Sequence, residues 1–147
     1  MILLINTCAD KLSEHEFVKP IKALVHDECF IKHYSELTNN DLLVADKIII
    51  CGTALMDFDY LKGDWSWIKA FNKPVLGICA GFQVIALELG KELVDKKMIG
   101  VFDHNYFVTS KLVEGGVTEL RQGLFTAYAF HPEVLNPELI SGFCRSQ

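Results

Sequence analysis

The chain has 147 residues, of which 50% are hydrophobic and 22% are charged, and its formal net charge is −5. This length and composition predict one globular domain with a sizeable core. The acidic balance disfavours nucleic acid and anionic membranes as partners, and no apolar run approaches the roughly 18 residues that a membrane span requires.

The cysteines indicate a reducing compartment. There are five, an odd number, and none has CxxC spacing. This usage favours free thiols over a disulfide framework, so we expect a cytoplasmic protein. The opening segment Met1–Ile5 has neither a basic flank nor a small-residue cleavage site, which predicts a first buried strand rather than a signal peptide.

Apolar strands alternate with helical patterns in the first half of the chain. Strands are predicted at Ile2–Thr7, Phe30–Tyr34, Lys47–Cys51 and Val75–Ile78. The third and fourth are apolar almost throughout, which is typical of a parallel sheet whose two faces are covered by helices.

The first helix is predicted over residues 13–25. Ser13 and Glu16 have the spacing of a capping box at its start. Pro20 interrupts the pattern, so the helix either begins near Lys19 with the proline in its first turn or bends at the proline.

Weaker patterns complete the prediction. Asn39–Asp41 indicates a loop, and Trp65–Phe71 indicates a short helix. Beyond Gly100 the pattern changes to a shorter β-like tail, in which strands are predicted at Val101–Lys111 and Leu124–Phe130. No linker or internal repeat is found, so the prediction is a single α/β domain over residues 1–147 with a mostly parallel sheet.

A cysteine between glycines follows the fourth strand. Gly77-Ile78-Cys79-Ala80-Gly81 joins that strand to a helical pattern ending near Leu89, with Gly90 as its C′ residue. The spacing is typical of a nucleophile elbow, in which small residues let the helix pass close to the strand and the helix N-terminus offers an N–H to an oxyanion. The pattern also fits a core cysteine at a packing turn. Two other cysteines at strand ends, Cys8 and Cys51, are expected to be small buried residues.

A cysteine nucleophile needs a base, and a histidine at another strand end is the candidate. His131 follows the apolar strand and opens the tripeptide His131-Pro132-Glu133. Because ligands bind beyond the carboxyl ends of parallel strands, we expect His131 close to Cys79. Glu133 can accept a hydrogen bond from the second ring nitrogen, which gives a nucleophile, a base and an orienting carboxylate. The other histidines lack the spacing of a metal site, and no metal is expected.

These two motifs resemble those of the class I glutamine amidotransferases, whose glutaminase domain releases ammonia from glutamine. The matching segments are Gly77–Gln83 and Phe130–Glu133, and the similarity extends over most of the chain. The resemblance implies a flavodoxin-like fold and a catalytic triad of Cys79, His131 and Glu133. It implies no metal or organic cofactor.

The resemblance also implies an oxyanion hole and a substrate contact. The backbone amides of Gly52 or Thr53 and of Ala80 would form the oxyanion hole, and Gln83 would help to bind glutamine. The chain departs from the family here, since Gly52-Thr53-Ala54 stands where paired glycines are usual.

A second substrate contact is implied by the segment His104–Val108. It is similar to the family's segment whose backbone holds the amino-acid head of glutamine, which assigns Asn105 and Tyr106 to that role. The chain departs from the family again in length, because only 52 positions separate Cys79 from His131.

The expected activity is hydrolysis of glutamine to glutamate and ammonia. The sequence has no phosphate-binding loop of the GxxxxGK type, so a separate synthase subunit is the expected recipient of the ammonia. Three alternatives stay open: a γ-glutamyl peptide hydrolase, a cysteine-elbow relative such as an intracellular peptidase or stress protein, and a domain that keeps the triad but is inactive.

Overall fold

Eight strands and seven α-helices follow one another along residues 1–146, the part of the chain that the computed structural model describes. The strands are β1 (Ile2–Asn6), β2 (Cys29–His33), β3 (Lys47–Ile50), β4 (Val75–Ile78), β5 (Leu93–Phe102), β6 (Asn105–Val113), β7 (Glu119–Gln122) and β8 (Phe125–Tyr128). The helices are α1 (Lys11–Phe17), α2 (Lys19–Leu24), α3 (Asn39–Val44), α4 (Trp67–Ala70), α5 (Ala80–Glu88), α6 (Pro132–Leu135) and α7 (Glu138–Arg145).

Six of the strands form one sheet. Their order is β2-β1-β3-β4-β8-β7, and every pair is parallel except the edge pair of β7 and β8. Strands β5 and β6 form a separate antiparallel hairpin. The predicted α/β class with a mostly parallel sheet is therefore confirmed, and the antiparallel strand β7 is an addition to it.

The central strands carry the core. Ile48, Ile49 and Ile50 of β3 are all fully buried, as are Leu3 and Leu4 of β1. Side chains of successive residues point to opposite faces of a sheet, so burial along a whole strand means that both faces are covered there. The apolar runs that predicted these strands thus reflect their central position.

The first helical region differs from its prediction. Two helices, α1 and α2, replace the single predicted one, and α2 begins at Lys19 with Pro20 in its first turn. Asp10, not Ser13, caps α1, because the Asp10 side chain accepts from the N–H of Leu12 at 2.9 Å. The capping-box interpretation was wrong, and the start near Lys19 was right.

The predicted loop at residues 39–41 is wrong, because these residues open helix α3. Thr38 caps this helix by accepting from the N–H of Asp41, and the Asp41 carboxylate accepts from the N–H of Thr38. This reciprocal pair satisfies two N–H groups that the first turn would otherwise leave free.

The last third of the chain holds two further differences. The predicted strand at residues 101–111 is two strands, since Asp103 and His104 adopt positive φ of 49° and 66° and turn the chain between β5 and β6. The β-like tail ends with β8, and two helices that the sequence did not predict follow it, with Pro132 in the first turn of α6 and Pro137 as the N-cap residue of α7. Within residues 1–146, no helix has the length and apolar character that crossing a bilayer requires.

Candidate active site

Cys79 occupies a strained turn between β4 and α5. Its backbone has φ 52° and ψ −96°, a region that L-residues rarely adopt and that costs on the order of 1–3 kcal/mol. The flanking glycines make this turn possible: a Cβ on Gly77 would lie 2.5 Å from the backbone of Gly81, and a Cβ on Gly81 would collide with the carbonyl oxygen of Ile50. The glycine spacing therefore reflects the contact of α5 with the sheet.

His131 reaches the same edge of the sheet through β8. In the parallel pair of β4 and β8, Ile78 lies opposite Tyr128, so both chains leave the sheet side by side. His131 Nδ1 is 3.0 Å from Glu133 Oε2, and the two side chains are only 2% and 5% exposed. Because Nδ1 of His131 is engaged with the Glu133 carboxylate, Nε2 is the ring nitrogen that can exchange a proton with Cys79.

Gly52, which follows β3, lies against the side chains of both Cys79 and His131. A Cβ on Gly52 would lie 2.8 Å from His131 Cε1 and 3.2 Å from Cys79 Cβ. The imidazole and the thiol-bearing side chain thus converge on one point, which only a glycine leaves free. Nε2 of His131 is buried and has no hydrogen-bond partner of ordinary length within residues 1–146.

The surroundings of His131 favour its charged form. Burial lowers its pKa, but the negative charge of Cys79 and the carboxylate of Glu133 outweigh burial and raise the pKa of His131 to about 10. Once Cys79 has lost its proton, the imidazole beside it is therefore protonated at neutral pH. An imidazolium next to a cysteine is the arrangement that stabilises a thiolate nucleophile.

The other cysteines at strand ends do not join this pair. Cys8 is 3% exposed and Cys51 is 0% exposed, and burial raises the pKa of both thiols. Within residues 1–146, no three His, Cys, Asp or Glu side chains are grouped as a metal site requires. Cys79 is consequently the candidate nucleophile of this edge.

A small cavity lies beside Cys79. Its volume is about 10 Å³, close to the space of one water molecule. Strand β6 forms one wall, and the carbonyl oxygen of Val108 accepts a hydrogen bond from the Cys79 thiol at 3.4 Å. A carboxamide can reach the sulfur only if this wall or the opposite loop moves.

Thr53 and Ala80 both line the cavity. Ala80 is the first residue of α5, where a backbone N–H has no acceptor within the helix. Thr53 does not adopt positive φ, and its hydroxyl donates to Asp57 Oδ2 at 2.8 Å. Thr53, which stands where the family usually has a second glycine, therefore causes no backbone strain. Its hydrogen bond to Asp57 holds the loop that follows β3.

Gln83 also lines the cavity, one turn into α5, and is 2% exposed. Its Oε1 accepts a hydrogen bond from the hydroxyl of Tyr60, and its Nε2 is 3.5 Å from Thr109 Oγ1. Gln83 is thus held between the loop that follows β3 and strand β6.

Asn105 and Tyr106 lie at the start of β6, away from the cavity. Asn105 Oδ1 accepts from Asn136 at 2.8 Å, and the carbonyl of Tyr106 accepts from the N–H of His131 at 2.8 Å. The β6 residues that line the cavity are Val108, Thr109 and Ser110. The role of the backbone near residues 105–106 in holding substrate stays a prediction.

Three site neighbours have no signal in the sequence. Phe17 of α1 packs its ring 5.6 Å from that of His131, and Tyr60 and Thr109 hold Gln83. Each belongs to an element distant in the chain from its partner. Nothing local in the sequence distinguishes Phe17, Tyr60 or Thr109.

Solved structures with the same fold extend over nearly the whole chain. A candidate GMP synthase subunit from Thermoplasma acidophilum is 18% identical with a TM-score of 0.74, over 97% of this chain and 92% of that one. A glutamine amidotransferase from Thermotoga maritima is 15% identical with a TM-score of 0.64, over 98% and 89%. These likenesses confirm the predicted flavodoxin-like fold.

A match to a protein-family model identifies the family of this chain. No curated protein matches the chain. The model described as "Glutamine amidotransferase class-I" matches residues 31–143, which include the elbow, the cavity wall and the His-Pro-Glu segment. The chain belongs to the class I glutamine amidotransferase family.

Proposed function

We propose that this chain hydrolyses glutamine to glutamate and ammonia through a thioester on Cys79. One observation carries the proposal: Cys79 on its strained elbow meets the imidazole of His131, whose other nitrogen lies 3.0 Å from the Glu133 carboxylate. This is the relation of nucleophile, base and orienting group that acyl transfer requires.

In the first step, the Cys79 sulfur attacks the carbon of the glutamine carboxamide. The thiol proton passes to His131 Nε2, and the imidazolium gives it to the departing nitrogen, which leaves as ammonia. The raised pKa of His131 supports this order, because the imidazole holds the proton at neutral pH before the leaving group needs it.

In the second step, water attacks the γ-glutamyl thioester. His131 accepts a proton from the water and returns one to the sulfur, so the net reaction consumes glutamine and water and yields glutamate and ammonia. Glu133 keeps the ring in the orientation that both steps need.

Backbone amides stabilise the oxyanion in this proposal. The N–H of Ala80 at the start of α5 is one donor, and Gly52 or Thr53 supplies the second. Each well-placed donor contributes roughly 3–4 kcal/mol to the transition state.

A separate synthase subunit receives the ammonia in this proposal. The name of the Thermoplasma acidophilum structure, a candidate GMP synthase subunit, supports by analogy a division of the reaction between two chains. The closed cavity also supports it, because docking of a partner would supply a reason for strand β6 to move.

The closed cavity gives no support to a γ-glutamyl peptide hydrolase. That alternative requires the short stretch between Cys79 and His131 to leave the pocket open, whereas strand β6 in that stretch covers the sulfur. The remaining alternative, a domain that keeps the triad but is inactive, is distinguished by the ammonia-release test that follows.

The test is release of ammonia from glutamine, with Cys79→Ala as the inactive variant and Cys29→Ser as the matched control. Cys29 lies on the edge strand β2, outside the site. We expect activity in the wild type and in Cys29→Ser only. If glutamine is not turned over, labelling by a glutamine-mimicking chloroketone decides whether the domain awaits its partner. Absence of both turnover and labelling contradicts the proposal.

A further inference from the structure

A chain of buried hydrogen bonds runs along the wall of the cavity, which Tyr60, Gln83 and Thr109 all line. The Tyr60 hydroxyl donates to Gln83 Oε1, and Gln83 Nε2 faces Thr109 Oγ1 at 3.5 Å. Thr109 Oγ1 in turn donates to the carbonyl oxygen of Lys111 at 3.0 Å. Tyr60, Gln83 and Thr109 are nearly inaccessible, at 2% exposure each. This chain links the loop after β3 to strand β6 through one glutamine.

The donors and acceptors of this chain fix the orientation of the Gln83 amide. Because the single hydroxyl proton of Thr109 goes to the carbonyl of Lys111, the Thr109 oxygen can only accept from Gln83. Gln83 must therefore turn its NH₂ group towards Thr109 and its oxygen towards Tyr60. The amide presents donors on the side of β6, which is a wall of the cavity.

Tyr60 is well suited to remain the donor. Burial, reinforced by the negative charge of Cys79, raises its pKa far above the ordinary value, so the hydroxyl keeps its proton at any pH the enzyme meets. Its backbone is fixed as well, since the indole Nε1 of Trp65 donates to the Tyr60 carbonyl at 2.7 Å.

We propose that Tyr60 is a positioning residue for substrate recognition: its hydroxyl holds the Gln83 amide so that an N–H points into the cavity and is available to bind glutamine. The inference rests on the proposed function and names the residue that orients its substrate contact. Without the Tyr60 hydroxyl, Gln83 Oε1 loses this donor, and the amide is held only on the side of β6.

The expected effect falls on binding rather than on chemistry. Tyr60 touches neither Cys79 nor His131 through a hydrogen bond, so the attack and proton transfer keep their geometry. Loss of one oriented hydrogen bond corresponds to a rise of roughly 5- to 10-fold in the KM for glutamine. The kcat is expected to change by less than about twofold.

The experiment measures glutaminase kinetics of Tyr60→Phe beside Tyr128→Phe. Tyr128 is a matched control, because it is also 2% exposed and its hydroxyl accepts a hydrogen bond from Arg121 at 2.9 Å, outside the cavity. Thermal unfolding of both variants shows whether they fold. If the isolated chain does not turn over, the concentration for half-maximal rate of chloroketone labelling replaces KM.

A double-mutant cycle separates positioning from a general structural role. Gln83→Met keeps the length of the side chain and removes the amide. If Tyr60 acts through Gln83, adding Tyr60→Phe to Gln83→Met raises KM no further. A loss of packing would raise KM by the same factor in both backgrounds.

The outcomes are distinct. A raised KM in Tyr60→Phe, absent from Tyr128→Phe and from the Gln83→Met background, supports the inference. A KM equal to wild type, an effect on kcat alone, or an effect that persists beside Gln83→Met overturns it while the proposed function stands. A wild type with neither turnover nor saturable labelling overturns the proposed function, and the inference with it.

Discussion

The Cys79 thiol donates to the carbonyl oxygen of Val108 at 3.4 Å, so strand β6 covers the proposed nucleophile. The thiol proton therefore has two possible acceptors, Val108 and the imidazole of His131. Transfer to His131 breaks the hydrogen bond to Val108 and leaves a carbonyl oxygen facing a negative sulfur. Formation of the reactive ion pair should thus loosen the wall that closes the cavity.

The closed cavity predicts size-dependent reactivity of Cys79. Because Cys79 is 6% exposed and the cavity holds about one water, a bulky maleimide should modify Cys79 more slowly, relative to iodoacetamide, than it modifies the half-buried Cys29. Peptide mapping by mass spectrometry measures both sites in one sample. Equal size dependence at the two cysteines would show that the wall is open in solution.

Gly52→Ala is expected to abolish activity with modest loss of stability. The added methyl would lie 2.8 Å from His131 Cε1, so the imidazole or the loop must shift, and we expect at least a roughly 100-fold fall in kcat/KM. Overpacking of this kind destabilises by about 1–3 kcal/mol.

Gly142→Ala is the matched control for that variant. Gly142 lies in α7 with no atom within 4 Å of an added Cβ, so alanine should leave activity unchanged and stabilise the helix by up to about 1 kcal/mol. Urea unfolding and ammonia release give both quantities. Near-normal activity in Gly52→Ala would contradict the described approach of Cys79 and His131.

Glu133→Gln is expected to lower kcat with little change in KM. The amide can still occupy the site of the carboxylate, 3.0 Å from His131 Nδ1, but it no longer stabilises the imidazolium. We expect a fall of roughly 10²- to 10⁴-fold, measured by steady-state kinetics. A fall in KM without a fall in kcat would contradict the role of Glu133.

His131 should titrate far above the ordinary range of histidine. NMR of the ring should give a pKa near 10 in the wild type and a lower pKa in Cys79→Ala, because the charge of Cys79 is the main cause that raises it. A pKa near 6.5 in the wild type, or no decrease in the variant, would contradict this coupling.

The same shift predicts the pH dependence of stability. The pKa of His131 is raised from 6.5, so protonated His131 stabilises the fold in full below pH 6.5, and this contribution is lost as pH rises through about 10. The free energy of unfolding of wild type relative to His131→Gln should therefore decrease over that range. A difference that grows with pH would contradict it.

The sequence predicted those parts of the candidate site that are formed by residues close together in the chain. The glycines around Cys79 mark the contact between strand and helix, and His131-Pro132-Glu133 carries the candidate base and its carboxylate partner two residues apart. The central strands were predictable because burial on both faces leaves an unbroken apolar run, as at Ile48–Ile50.

Contacts between distant segments had no such signal. Tyr60 and Gln83 are 23 positions apart, and Gln83 and Thr109 are 26 apart, so only the fold shows that they meet. The turn at Asp103-His104 was missed because two residues with side chains adopt positive φ where glycine is usual.

The most direct test of the central claim is ammonia release from glutamine by the purified chain and by Cys79→Ala. We predict release by the wild type and none by the variant under the same conditions. Release that survives Cys79→Ala would contradict the assignment of Cys79 as the nucleophile, whatever the fate of the other predictions.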